Sequence, residues 1–249
     1  MYFFDLDGTL LDSNGIWLDI DIAFLGRHGI SPVPEDYTWY VTHHSAPDSA
    51  RYTRERFGLA ETAEEIQGAW LDMAREAYAG QLALKPGARA FLERCREHGV
   101  PMAVLTSCIP ELCRAALAHH GILDWFQGVV YAQETGIGKG EPELYRLAAE
   151  RWGRAPEKCI LFEDSPGYCA AAREAGFFVA GVRDPLYAGR EEEIQALCRG
   201  WVDDFRRVPE PLLKRVLGDG RAACRERFDT VKQGRKKYLQ FPEICDNIF

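Results

Sequence analysis

The sequence predicts an α/β protein, a doubly wound parallel sheet with an all-helical segment inserted after its first strand. Three observations predict it. A short apolar run, Tyr2-Phe3-Phe4, opens the chain and stops at Asp5. Residues 14–84 then carry helical patterns and no strand-like run. From Leu84-Lys85-Pro86-Gly87 onward, near-continuous apolar runs alternate with helical stretches, as strands buried on both faces and their crossover helices require.

Tyr2-Phe3-Phe4 is too short for a helix and rich in strand formers. In the insert, Ile16, Trp17, Ile20 and Phe24 share one helical face, and Gly29 with Pro32 ends that run. A second helix follows Pro34 from Glu35 to His44, Ala46-Pro47-Asp48 reads as a loop, and a third helix covers Ser49 to Phe57 before Gly58. The fourth runs from the Thr62-Ala63-Glu64-Glu65 start to Ala79 and is closed by Gly80. Beyond the insert come a helix over Ala88–His98, a strand over Met102–Leu105, a helix over Glu111–His120 and a strand over Val129–Tyr131. A helix over Glu143–Arg151, a strand over Cys159–Phe162, a helix over Ala170–Ala175 and a strand over Phe177–Ala180 complete the alternation. Residues 201–205 read as a last edge strand, Pro209–Leu217 as a short helix, and Ala222–Leu239 as a further one. The expected organisation is a Rossmann-like core of residues 1–13 and 85–205, a helical cap of residues 14–84, and a basic C-terminal extension of residues 206–249.

The chain has 249 residues, 47% hydrophobic and 27% charged, enough for a sizeable core. A net charge of −8 argues against nucleic acid as a partner. No apolar run approaches a membrane span, and Met1 leads directly into the first strand, so a cytoplasmic protein is expected. The eight cysteines form no Cys-x-x-Cys pair and mostly sit in apolar stretches, as reduced buried thiols do. Cys108 follows a strand end, but no histidine nearby could activate it. Charge is uneven. Residues 1–84 hold five basic against fourteen acidic side chains and no lysine, whereas residues 206–249 hold eleven basic against six.

Strand ends carry the chemistry. Asp7-Gly8 alone is a turn signal, and Asp12-Ser13 alone a helix cap. Thr106-Ser107 could likewise be a cap, and Glu163-Asp164-Ser165 a turn. Yet in a parallel sheet the carboxyl ends lie on one edge, where ligands bind. Asp5 and Asp7, Thr106 and Ser107, the Gly136–Lys139 loop, and Glu163 and Asp164 therefore converge. Carboxylates from two strands offer hard oxygens suited to Mg²⁺. A hydroxyl and a lysine suit a phosphoryl group, whose oxygens need donors and positive charge.

These segments resemble the haloacid dehalogenase-like (HAD) hydrolase superfamily, in its capped phosphatase branch, the phosphoglycolate phosphatase and beta-phosphoglucomutase-like group. The matching segments are Asp5-Leu6-Asp7-Gly8-Thr9-Leu10-Leu11-Asp12-Ser13, then Ala103-Val104-Leu105-Thr106-Ser107. Gly138-Lys139 with Pro142 and Tyr145 follows, then Phe162-Glu163-Asp164-Ser165 with Ala171-Ala172 and Ala175-Gly176-Phe177. The resemblance covers residues 1 to 205. It implies that Asp5 attacks phosphorus and forms an aspartyl-phosphate, while Asp7 protonates the leaving alcohol and then activates water. Thr106, with the backbone of Ser107 and Gly8, is implied to hold the phosphoryl group, and Lys139 to neutralise it together with Asp5. Asp5, the Asp7 carbonyl and Asp164 are implied as Mg²⁺ ligands, with Glu163 supporting the metal directly or through water.

Two positions depart from the family pattern. Gly140 follows Lys139 where proline is usual, and Tyr168 stands where glycine is usual. The presence of Asp7 separates the chain from dehalogenases, whose halide leaving group needs no proton. The absence of lysine from residues 1–84 separates it from phosphonate hydrolases that use a cap lysine. The expectation is a Mg²⁺-dependent phosphatase of a small phosphorylated metabolite, a monomer or homodimer. A sugar-phosphate mutase with the same core is the first alternative, and a non-catalytic binding or regulatory protein docking through its basic tail is the second. Within the cap, Arg51 and His43 are candidate substrate contacts.

Overall fold

The structure, a computed structural model, describes residues 1–208 and Leu212, and of Thr42 and His43 only the backbone. Its first strand, β1 (Tyr2–Phe4), is followed by four helices: α1 (Ile16–Arg27), α2 (Glu35–His43), α3 (Ala46–Phe57) and α4 (Ala63–Gly80). Then come α5 (Ala88–Glu97), β2 (Met102–Thr106), α6 (Pro110–His119), β3 (Val129–Tyr131) and a helical turn, α7 (Ala132–Thr135). The chain continues with α8 (Pro142–Arg151), β4 (Ile160–Glu163), α9 (Pro166–Glu174), β5 (Phe178–Val182), α10 (Glu191–Leu197) and β6 (Gly200–Val202). The six strands form one sheet in the order β3-β2-β1-β4-β5-β6, with every pair parallel. The α/β class and the helical insert are as the sequence predicts.

Alternation along the strands divides the core into two faces. Tyr2, Phe4, Val104 and Phe162 face α5, α6 and the cap. Phe3, Leu105, Leu161 and Val179 face α8, α9 and α10. On the first face Phe4 stacks on Phe162 with ring centroids 4.7 Å apart, and Phe91 of α5 meets both edge-on. On the second, Phe3 sits between Trp152 and Phe177. Such aromatic pairs add to the burial of strands only three or four residues long.

The cap leaves and rejoins the core through two adjacent connectors. Leu11 bridges Leu84 in antiparallel fashion, Asp12 N donates to Ala83 O at 2.9 Å, and Lys85 N donates to Leu10 O at 2.8 Å. Helix α4, started by a capping box between Thr62 and Glu65, packs on α1 and on α6 of the core. Arg75 of α4 also reaches Glu111 of α6 at 3.1 Å.

Several element bounds differ from expectation. Residues 46–48 are not a loop but the first turn of α3, because Ser45 caps it and Pro47 fits a helix start. Helix α9 begins at Pro166, ahead of Ala170, because proline fits a helix start there too, although the Ser165 side chain makes no capping bond. The fourth cap helix retains Gly80, and the edge strand spans Gly200–Val202, because Asp204 instead caps a turn over Phe205–Arg207. Helix α10 has no counterpart in the sequence reading. The expected helices over Pro209–Leu217 and Ala222–Leu239 lie outside the described residues, as does most of the basic extension. Among the described residues no helix is long and apolar enough to cross a membrane.

Candidate active site

After β1 the chain builds β2 and β3 on one side of it, then crosses to build β4, β5 and β6 on the other. The carboxyl end of β1 is thus a topological switch point, where the flanking connections part and leave a crevice. Asp5 follows β1 at this point, Thr106 ends β2, and Glu163 ends β4 with Asp164 next.

One oxygen from each of Asp5, Glu163 and Asp164 lies within 4.8 Å of the others, and all three side chains are buried. Lys139, also buried, pairs with Asp5 and places Nζ 2.8 Å from Glu163 Oε2. Its position is enforced from two sides. The Tyr145 hydroxyl donates to the Lys139 carbonyl at 2.8 Å, and the Lys139 ammonium lies 4.6 Å from the Tyr168 ring centroid. The tyrosine that departs from the family pattern is thus a cation–π partner of the site lysine. Glu163 Oε1 accepts from the amides of Asp164 and Ser165 at 3.1 and 3.0 Å, which shapes the turn after β4. Asp164 accepts from the Thr9 hydroxyl at 2.9 Å and from the Asn14 amide at 3.0 Å.

Electrostatics follow from this crowding. Burial pushes the Asp5 carboxyl well above the usual range; Lys139 opposes this, and Glu163, Asp164 and Asp7 add to it. Burial and then Glu163 push Asp164 up to about 7, against Lys139 and Thr9. Burial disfavours the Lys139 ammonium, but Asp5 and Glu163 outweigh it and hold its pKa well above the ordinary lysine value. Like charges at this spacing repel by about 3–4 kcal/mol at an effective dielectric of about 20. One ammonium cannot balance three carboxylates, so a proton or a cation must complete the site. The donor set is all hard oxygen and suits a small divalent cation such as Mg²⁺.

Asp7 is held elsewhere. Its Oδ1 accepts from the Ser13 hydroxyl and from the Tyr78 hydroxyl of α4, each at 2.6 Å. Ser13 therefore does not cap α1, whose N-cap is Gly15 without a side-chain bond. Thr106 Oγ1 accepts from Cys108 N at 2.9 Å, the Ser107 carbonyl accepts from Gln133 at 3.2 Å, and Ile109 stands at the N-cap of α6. Gly8 has φ +79°, its N–H donates to Leu11 O at 2.9 Å, and a Cβ there would overlap Asn14 and Asp164. Burial and the Asp7 charge push the Cys108 thiol up, the opposite of what a nucleophilic cysteine needs.

The structure brings together Asp5, Lys139, Glu163 and Asp164. In the cap, Arg51 is engaged by Asp48 at the exposed surface, and the side chain of His43 lies outside the described residues. Sequence reasoning did not single out Thr9, Asn14, Lys85, Tyr78 or Asp184. Thr9 and Asn14 flank the first motif closely enough to have been suspected. Tyr78 follows Trp70 and Ala74 on one buried helical face, so its spacing matches ordinary packing.

Comparison with known proteins bears on this geometry. A family model for haloacid dehalogenase-like hydrolases matches residues 1–176. Hexitol phosphatase A of Escherichia coli (strain K12) is 30% identical over 193 residues, spanning 78% of this chain and 87% of that protein. Phosphoserine phosphatase of Thermus thermophilus is 36% identical over 155 residues, 62% of this chain and 59% of that one. A solved structure from Thermotoga maritima, assigned as a beta-phosphoglucomutase, shares the fold with a TM-score of 0.73 at 22% identity, covering 89% of this chain and 98% of that one.

Proposed function

The chain belongs to the haloacid dehalogenase-like hydrolase family, and on that premise we propose that it is a Mg²⁺-dependent phosphatase of small phosphorylated metabolites acting through Asp5. One observation carries the reading: three buried carboxylates and a buried lysine meet at the switch point, two residues from a further carboxylate, Asp7.

Asp5 attacks phosphorus, an aspartyl-phosphate forms, and the bond to the alcohol oxygen breaks. Asp7 gives its proton to that oxygen as it leaves. Asp7 then takes a proton from water, the water oxygen attacks phosphorus, and inorganic phosphate leaves with the Asp5 carboxylate restored. Thr106 and the Ser107 amide hold the phosphoryl oxygens, and Lys139 offsets the negative charge of Asp5. Asp5, Asp164 and the Asp7 carbonyl would hold Mg²⁺, with Glu163 in support. When bound, the ion supplies the positive charge that lets a carboxylate approach a phosphate dianion. The cap, residues 14–84, excludes water and selects the ester.

The test is phosphate release with Mg²⁺ across a panel including phosphorylated hexitols, sugar phosphates and phosphoserine, comparing wild type with Asp5→Asn. Release by the wild type, lost in the variant, supports the reading. An isomeric phosphate with little free phosphate would assign a mutase instead. No turnover of any ester would favour a binding protein on this scaffold.

A further inference from the structure

Asp7 is gripped by the cap as well as by its own loop. Tyr78 lies in the last turns of α4 and is 3% exposed. Its hydroxyl donates to Asp7 Oδ1 at 2.6 Å, and Ser13, on the connector entering the cap, donates to the same oxygen at the same distance.

The chemistry of these groups defines a role. In its bond to Asp7 the Tyr78 hydroxyl is the donor and the carboxylate oxygen the acceptor. Two donors on Oδ1 occupy that oxygen and leave Oδ2 as the atom that carries the transferable proton. The phenol is itself placed by α4, which packs on α6 and is tied to it by Arg75 and Glu111, and just beyond its end Leu82 O lies 3.0 Å from His120 Nε2. A ring held this firmly fixes the side-chain torsions of Asp7.

We propose, on the footing of the phosphatase reading above, that Tyr78 is a positioning residue for proton transfer by Asp7. In the forming step the Asp7 Oδ2–H bond breaks and its proton goes to the ester oxygen. That oxygen takes the electron pair of the breaking P–O bond as Asp5 bonds to phosphorus. Tyr78 exchanges no proton. It keeps Oδ2 directed at the leaving group, and since it belongs to the cap, it ties the acid–base step to the seating of α4.

The experiment uses two esters that differ in their need for that proton. Para-nitrophenyl phosphate expels a stable phenolate and gains little from an acid, whereas an alkyl phosphate cannot leave without one. General acid catalysis contributes about 10²–10⁴-fold. Tyr78→Phe keeps the ring and removes only the donor, so its kcat/KM on the alkyl ester should fall about tenfold while that on the aryl ester changes less than twofold. A thermal melt confirms that the variant is folded, and Tyr78→Leu gives a second comparison that should show the same selectivity. Equal losses on both esters, or no loss on either, would overturn the positioning role and leave the phosphatase reading intact. If the wild type cleaves neither ester, the phosphatase reading falls and the positioning role falls with it.

Discussion

Lys85 and Asp184 lie ninety-nine positions apart in the chain and form an ion pair nearly closed to water, with side chains 9% and 1% exposed. Lys85 stands on the connector returning from the cap, and Asp184 follows β5. The other Asp184 oxygen accepts from Leu186 N at 2.9 Å and from Asn14 at 3.0 Å. The Asn14 amide also donates to Asp164, so a polar chain runs from both cap connectors to the carboxylate cluster. It also commits Lys85, the first lysine in the chain, to a structural partner.

Lys85→Met should therefore be costly. It leaves Asp184 buried without its cation, a change that destabilises by about 3–5 kcal/mol. For a chain of this size each kcal/mol lowers the melting temperature by about 2–4 °C. The double variant Lys85→Met/Asp184→Leu, which removes both charges, should recover most of the loss. Thermal melts of the three proteins check this, and an unchanged midpoint in Lys85→Met would show that the pair contributes little.

Gly8→Ala should damage the site through two effects that act together. The residue has φ +79°, a region that costs an L-residue about 1–2 kcal/mol. The added methyl also meets the Asn14 amide and the Asp164 carboxylate, which must move apart. A loss of kcat/KM of about 100-fold is expected. Gly140→Ala is the control, since nothing lies within 4 Å of its Cβ position. Near-wild-type turnover by Gly8→Ala would mean that the position of Asp164 is unimportant.

Much of this site was legible because a parallel sheet makes linear order informative. Asp5, Glu163 and Asp164 each follow an apolar run, and runs of that kind end on one edge. Lys139 was legible only through its place between those motifs. Tyr168 was visible as a departure, but its contact with Lys139 depends on how α9 is rotated, which local spacing does not specify. Asp184 precedes Pro185 and reads as a turn former, and its pairing with Lys85 is purely tertiary. Helix α10 is seven residues long and begins with three glutamates, so its charge obscured its periodicity.

Stability should fall with rising pH when no divalent ion is bound. Asp5 and Asp164 are raised in the folded chain, Asp164 to about 7, whereas an unfolded Asp titrates near 3.9. Between those values the folded state holds more protons than the unfolded state. Its stability then declines by up to about 1.4 kcal/mol per pH unit for each such group. Below pH ~4 both states are protonated and the effect vanishes. Urea midpoints in EDTA should therefore drop between pH 5 and 7.5, and Mg²⁺ should restore more at pH 7.5 than at pH 5 because it replaces the missing protons. A midpoint in EDTA that is flat or rising across this range would contradict the buried carboxylate cluster.

A second pH dependence, independent of any metal, comes from the cap. Asp21 of α1 is buried, and burial raises its carboxyl to about 6 against the Tyr37 hydrogen bond. Tyr37 Oη lies 3.1 Å from Asp21 Oδ1 and 3.1 Å from Thr53 Oγ1, and the Thr53 hydroxyl donates to Ser49 O at 2.7 Å. These three contacts need three hydrogens, but with Asp21 ionised only the two hydroxyls supply them. A protonated Asp21 donates to Tyr37, Tyr37 donates to Thr53, and the chain is complete. The group's folded pKa lies above its unfolded value, so wild-type stability is lost as pH rises from about 4 to about 6. Asp21→Asn supplies the third hydrogen permanently and carries no charge. It should melt higher than wild type at pH 8 and close to it at pH 5, because there wild-type Asp21 is already mostly protonated. An Asp21→Asn protein less stable than wild type at pH 8 would mean that the ionised carboxylate is preferred there and that the proton count along this chain is wrong.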